Sequence, residues 1–144
     1  MTRIEQAAAY FKQGYSCSQA IMAAYGPSLG SDRDTALKIA SGFGGGMGRL
    51  AETCGAVTGA FMVLGLEFGS PTSDRETKEA VYTRVRDFAE RFKARHGSIC
   101  CRDLLGCDLN TPEGAALARV KKLSSTVCPP YVGTAAEILE EMLR

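Results

Sequence analysis

Six cysteines in 144 residues are the side chains here best suited to chemistry. Cys17 follows Tyr15-Ser16, Cys54 precedes Gly55, Cys100 and Cys101 are adjacent, Cys107 follows Gly106, and Cys128 precedes Pro129. A thiolate is a nucleophile and a soft metal ligand, so such residues support disulfide exchange, metal binding or iron–sulfur ligation. A free cysteine is also a small hydrophobe that often only packs in a core. Context separates four of them from that role. Cys17, Cys54, Cys101 and Cys128 belong to four separate helical patterns, each at a helix start or beside glycine. Unpaired N–H groups in a first helical turn, and the helix dipole, favour a thiolate.

Spacing excludes several sites. No Cys-x-x-Cys occurs, so neither a thioredoxin-like local disulfide nor covalent haem attachment is supported, and the paired spacing of structural zinc is missing. Thiols on four helix ends can converge in a bundle core, as disulfide pairs or as ligands of an iron–sulfur cluster. His96, the single histidine, falls in the last turn of a helical pattern, where partial positive charge is favourable, and reads as structural or solvent-exposed. Glu140-Glu141 and Asp32/Asp34 read as solvated charges.

A glycine run, Gly42-Phe43-Gly44-Gly45-Gly46-Met47-Gly48, leads into the segment that carries Cys54. Gly46 to Ala51 fits G-x-G-x-x-A, but no strand precedes it and no Gly-Lys-Ser/Thr occurs, so a nucleotide loop is not supported. The run reads as a tight turn that lets backbone approach something closely, and Arg49 beside it could hold an anion. Gly55 and Gly59, one turn apart, suit close approach of either another helix or a bulky inorganic group.

The elements that must position these residues are helices. Ile4, Ala8 and Phe11 define a helix over 3–12, and Ser16 caps a second one through Ile21, Met22 and Tyr25. Asp32 and Asp34 open a short third helix that stops at Ser41-Gly42. Residues 49–68 are apolar nearly all round, which predicts a buried central helix. Ser73-Asp74-Arg75-Glu76 is a capping box for an amphipathic helix over 74–95 with Val81, Val85, Phe88 and Phe92 on one stripe. Ser98 caps a short helix containing Cys100 and Cys101. Thr111-Pro112 starts another, 124–127 is a connector, and Cys128-Pro129 starts the last. With no alternating β-branched stretch, the prediction is an all-α single domain over 1–144. It is a compact bundle of about six to seven helices around a buried central helix.

The apolar fraction of 45% and charged fraction of 23% are those of a globular protein that can bury a core without obligatory staples. A net charge of +1 gives no reason to expect a nucleic-acid or anionic-membrane partner. The N-terminus is too polar for a signal peptide, and the apolar run 56–66 is about half of the ~20 residues a membrane helix needs. The expected location is cytoplasmic, where cysteines serve redox, metal or catalytic chemistry more often than structural disulfides. A homodimer through an apolar helix face is compatible with the composition.

The chain resembles the C_GCAxxG_C_C family of small proteins described as redox-active. The resemblance is carried by 14–20 (Gly-Tyr-Ser-Cys-Ser-Gln-Ala), the glycine run with Ser41 and Arg49, and 52–59 with its Cys-Gly-Ala-x-x-Gly element. It continues in Cys101-Arg102-Asp103-Leu104-Leu105-Gly106 and Val127-Cys128-Pro129. It spans essentially the whole chain. It implies that Cys17, Cys54, Cys101 and Cys128 are the working thiols, with Cys100 a competing third position and Cys107 unassigned. The pattern is also similar to the iron–sulfur part of split-Soret-type cytochromes, and since no haem motif is present only the cluster half carries over. The expected function is single-electron transfer through an iron–sulfur cluster, [2Fe–2S] favoured over [4Fe–4S]. Its ligands would be Cys17, Cys54, Cys101 and Cys128, with Gly55 and Gly59 giving it room, and its partner an electron donor or acceptor of unknown identity. Two alternatives stand: a metal-free thiol–disulfide oxidoreductase or redox sensor, and a non-catalytic metal-binding or interaction module.

Overall fold

A computed structural model describes residues 1–72 and 74–144. Ten helical segments follow in order: α1 (Arg3–Lys12), α2 (Cys17–Tyr25), α3 (Arg33–Ala40), α4 (Gly44–Met47), α5 (Gly55–Phe68), α6 (Arg75–His96), α7 (Cys101–Leu105), α8 (Pro112–Val120), α9 (Leu123–Thr126) and α10 (Pro129–Met142). Seven of them are eight residues or longer, as the periodicity predicts. Among the described residues there is no strand, only an isolated antiparallel bridge between Thr53 and Cys100.

The helix starts follow their capping residues. Ser16 accepts from Gln19 N–H while the Gln19 side chain accepts from Ser16 N–H, a reciprocal capping box that fixes where α2 begins. Asp32 and Thr111 cap α3 and α8 one-sidedly, accepting from Thr35 N–H and Gly114 N–H. Ser73 of the expected capping box lies outside the described residues. Asp74 is the N-cap of α6 and accepts from Thr77 N–H.

α2 and α5 form the centre together. α2 buries every residue from Ala20 to Tyr25, and α5 buries Gly55 to Ala60 before its far end reaches solvent at Leu66. α1 and α3 flank α2, α6 flanks α5, and α10 closes the core against α1, α2, α5 and α6. Ile21, Val57, Leu64, Phe88, Phe92, Ile138 and Leu139 fill it. Each such side chain contributes about 1.5–3 kcal/mol by leaving water. Buried Tyr25 donates to Ala136 C=O at 3.0 Å and to Glu140 Oε1 at 3.2 Å, tying α2 to α10. Gly59 is where α2 and α5 come closest: a Cβ there would stand 3.0 Å from Ser18 C=O and 3.1 Å from Ile21 Cβ.

Three expectations differ. Residues 124–127, expected as a connector, are largely helical, since α9 spans Leu123–Thr126. Ser98 accepts from Cys100 N–H, and α7 starts one residue later with Cys100 as its N-cap, so Cys100 lies outside the helix. The central helix starts at Gly55, not at residue 49. Met47, Gly48, Arg49 and Ala51 all have left-handed backbone, φ between 61° and 68°. That conformation cannot continue into a right-handed helix, so Leu50 is 52% exposed rather than packed.

Candidate functional site

The site is assembled from four helix starts. Cys17 is the first residue of α2 and Cys101 the first of α7, while Cys54 and Cys128 are the N-caps of α5 and α10. All four line one half-open cavity of about 900 Å³. Cys100 and Cys107 do not line it, and neither does His96. Cys100 instead directs its thiol at Ala51 C=O, 3.5 Å away. His96 packs against Phe92 and Tyr131 and shares a 2.8 Å hydrogen bond with Thr134.

Two loops stitched together set the spacing of Cys54 and Cys101. Cys54 N–H donates to Ile99 C=O at 2.8 Å, Cys101 N–H donates to Glu52 C=O, and Arg102 N–H reaches Ala51 C=O at 3.4 Å. The chain reaches this arrangement through five consecutive left-handed residues, Gly45 to Arg49. Only glycine adopts that backbone without steric cost, and three of the five are glycine. At Gly46 a Cβ would stand 2.7 Å from Cys101 Cβ and 2.7 Å from Glu52 N. At Gly44 it would stand 2.7 Å from Ser16 Cβ. The glycine run is therefore the wall that presses against the first turns of α2 and α7.

Gly55 lines the cavity, and a Cβ there would stand 3.2 Å from Cys17 Cβ. Gly59, a turn further on, does not line it and serves the α2–α5 contact. Tyr131, three residues after Cys128, also faces the cavity and donates to Leu104 C=O at 2.7 Å, joining α10 to α7. The i, i+3 spacing from a helix-start cysteine is the sequence signal for that residue.

The four thiols sense one another. The neighbouring Cys128 thiol raises the Cys17 pKa well above the usual thiol value, with burial adding to it. The same interaction lowers the pKa of Cys128. Burial pushes Cys54 up to about 11, opposed in part by the N–H groups of Ala56 and Val57 aimed at its sulfur. Cys101 is pushed up to about 12 by burial and then by the neighbouring Cys54 and Cys128 sulfurs. Within the cavity Cys128 alone is shifted toward the thiolate, and Cys17, Cys54 and Cys101 are shifted away from it. Among the described residues no group of three or more His, Cys, Asp or Glu side chains is arranged to hold a metal ion.

Residues 15–142 match the family model described as "Putative redox-active protein (C_GCAxxG_C_C)". No curated protein and no solved structure matches the chain.

Proposed function

The chain belongs to the C_GCAxxG_C_C family of redox-active proteins, and from that premise we propose that Cys17, Cys54, Cys101 and Cys128 hold a [2Fe–2S] cluster for single-electron transfer. The observation that carries this reading is that four thiols from four separate helix starts line one cavity. The donor set suits the group in kind, four sulfurs with no histidine or carboxylate lining the same space, although the four side chains as placed do not form a ready metal site and would have to close around it. When bound, the cluster would supply the one-electron couple. The chain's part is to supply thiolates, to set helix N-termini against the resulting negative charge, and to aim the Ala56 and Val57 N–H groups at the Cys54 sulfur. Gly55 leaves space beside Cys17. The proposed setting is the cytoplasm, whose reducing poise keeps thiols available.

The test is anaerobic purification followed by iron, labile-sulfide and absorption measurements. Roughly two irons and two sulfides per chain are expected, lost on replacing any of the four cysteines with serine and kept in Cys100→Ala and Cys107→Ala. A colourless chain that binds neither iron nor sulfide after reconstitution overturns the reading.

One observation favours a second reading. Cys17 and Cys128 line the same cavity and shift one another in opposite directions, Cys17 up and Cys128 down. In a metal-free chain, the Cys128 thiolate would attack an external disulfide and expel one thiolate. Cys17 would then resolve the mixed disulfide, releasing the second thiol. Two thiols are oxidised and one disulfide is reduced to two thiols. Mass spectrometry after oxidant and alkylation decides: a reversible Cys17–Cys128 disulfide supports this route, and six equally alkylated cysteines refute it.

A further inference from the structure

The four thiols account for only part of the cavity. Its volume of about 900 Å³ lies in the range of small-molecule sites, roughly 300–1,000 Å³. Its wall also carries Arg49, Arg119 and Lys122, and no aspartate or glutamate. None of these three cations takes part in an ion pair among the described residues, whereas the acids elsewhere on the surface pair with Arg3, Arg33, Arg91, Lys93, Arg95 and Arg102. Three like charges line one concave wall that carries no acid, and their summed field there favours an anion.

The backbone holds two of the three in place. Arg49 and Lys122 both have left-handed backbone, at φ 64° and 50°, a conformation disfavoured for residues that carry a Cβ. The stem of Arg49 lies across Gly45, where a Cβ would stand 2.8 Å from Arg49 Cγ. The same wall carries apolar side chains, Phe11, Leu105 and Leu109 among them, alongside Ser16, Ser41, Ser124 and Ser125. A ligand that matches this wall has one anionic end and an apolar body.

We propose that the cavity binds a small organic anion, its charged end held by Arg49, Arg119 and Lys122 and its body lying toward the four cysteines. This names the substrate class of the redox centre and rests on that reading only for the ligand's role as substrate. Binding itself requires no cluster.

The experiment is a titration of the full, metal-free reduced chain, followed by backbone amide shifts, with hexanoate, hexyl phosphate, hexanol and inorganic phosphate. Saturable shifts at Gly45, Arg49 and Lys122 are expected with hexanoate or hexyl phosphate, and the tighter of the two identifies the head group as carboxylate or phosphate. The triple variant Arg49→Gln, Arg119→Gln, Lys122→Gln should bind about tenfold more weakly or worse, a factor of ten being about 1.4 kcal/mol. Lys121→Gln, just outside the wall, should bind as the unmodified chain does. Arg119→Lys, which keeps the charge, guards against loss of structure by retaining most of the affinity. Hexanol binding as tightly as hexanoate, inorganic phosphate matching hexyl phosphate, an unchanged triple variant, or no saturation with either organic anion overturns the proposal. A chain that binds hexanoate yet takes up neither iron nor sulfide on reconstitution defeats the cluster reading and leaves this one standing. An iron-loaded chain indifferent to both anions defeats this one alone.

Discussion

Cys128 is the one thiol of the cavity whose pKa is lowered, and the cause is its interaction with the Cys17 thiol. A lower pKa means a larger thiolate fraction at a given pH, and the thiolate is the reactive form. In the reduced, metal-free chain Cys128 should therefore alkylate first among the four at neutral pH. Cys17→Ala removes that interaction and should slow the reaction several-fold, while Cys17→Ser keeps a polar hydroxyl there and should slow it less. Peptide mapping after timed iodoacetamide exposure reads both. Cys54 moves in the opposite direction, from 9.0 to about 11. A raised folded-state pKa contributes stability below the unfolded value that is lost as pH rises through the folded one. Metal-free wild type should thus lose up to about 2–3 kcal/mol relative to Cys54→Ala between pH 9.0 and about 11. Parallel urea titrations of the two chains across that range check it, and a constant difference between them refutes it.

At the scale of elements, the left-handed run and the helix starts set the geometry. Gly46→Ala adds a Cβ against Cys101 and Glu52 at a residue with φ 70°. It should cost about 1–3 kcal/mol and move α7 away from the cavity. Gly133→Ala makes the contrast: it lies within α10 with open space around it and ordinary φ, so it should be neutral or stabilise by up to about 1 kcal/mol. Ser16→Ala removes the hydroxyl half of the α2 capping box, leaving the residue 16 N–H to donate to Gln19, and should cost about 1 kcal/mol. Thermal melts of the three variants give the order. Asp74, the N-cap of α6, has its pKa lowered to about 2 by the Thr72 and Thr77 hydroxyls and the Thr77 N–H. Its contribution is present above the ordinary carboxylate value and is lost as pH falls toward about 2.

For the whole molecule, the cavity lies where α2, α5, α7 and α10 meet, segments that start at residues 17, 55, 101 and 129. A group bound to all four cysteines would bridge most of the chain and would bind the folded state alone. Loading should raise the Tm, by an amount that tracks occupancy, and chelation should return it to the metal-free value. Calorimetry before and after reconstitution measures this, and an unchanged Tm at full iron occupancy argues that the metal binds elsewhere. The surface ion pairs Arg91–Glu141 and Arg95–Glu137 join α6 to α10 but are about half exposed. Such pairs contribute about 0–1 kcal/mol each, so the buried apolar contacts dominate the stability of that seam. No helix among the described residues is long and apolar enough to cross a membrane.

The sequence by itself determined the helices, because capping and periodicity are local. Ser16, Asp32 and Thr111 start the helices they were expected to start, and Phe88 and Phe92 occupy the buried stripe of α6. It also marked Cys17, Cys54, Cys101 and Cys128 as unusual, since a cysteine at a helix start or beside glycine is visible in a short window. It misplaced the start of α5, because the apolar pattern of Leu50 and Ala51 does not report the sign of φ. Only the tertiary structure decided that the four thiols share a cavity that Cys100 and Cys107 do not line. Adjacent residues point in different directions, and which of Cys100 and Cys101 faces inward is set by the Thr53–Cys100 bridge and the bond from Cys101 N–H to Glu52. The tertiary structure alone also put Arg119 and Lys122 on the wall of the cavity that Arg49 lines, since residues that far apart in sequence share a surface only when the chain folds between them.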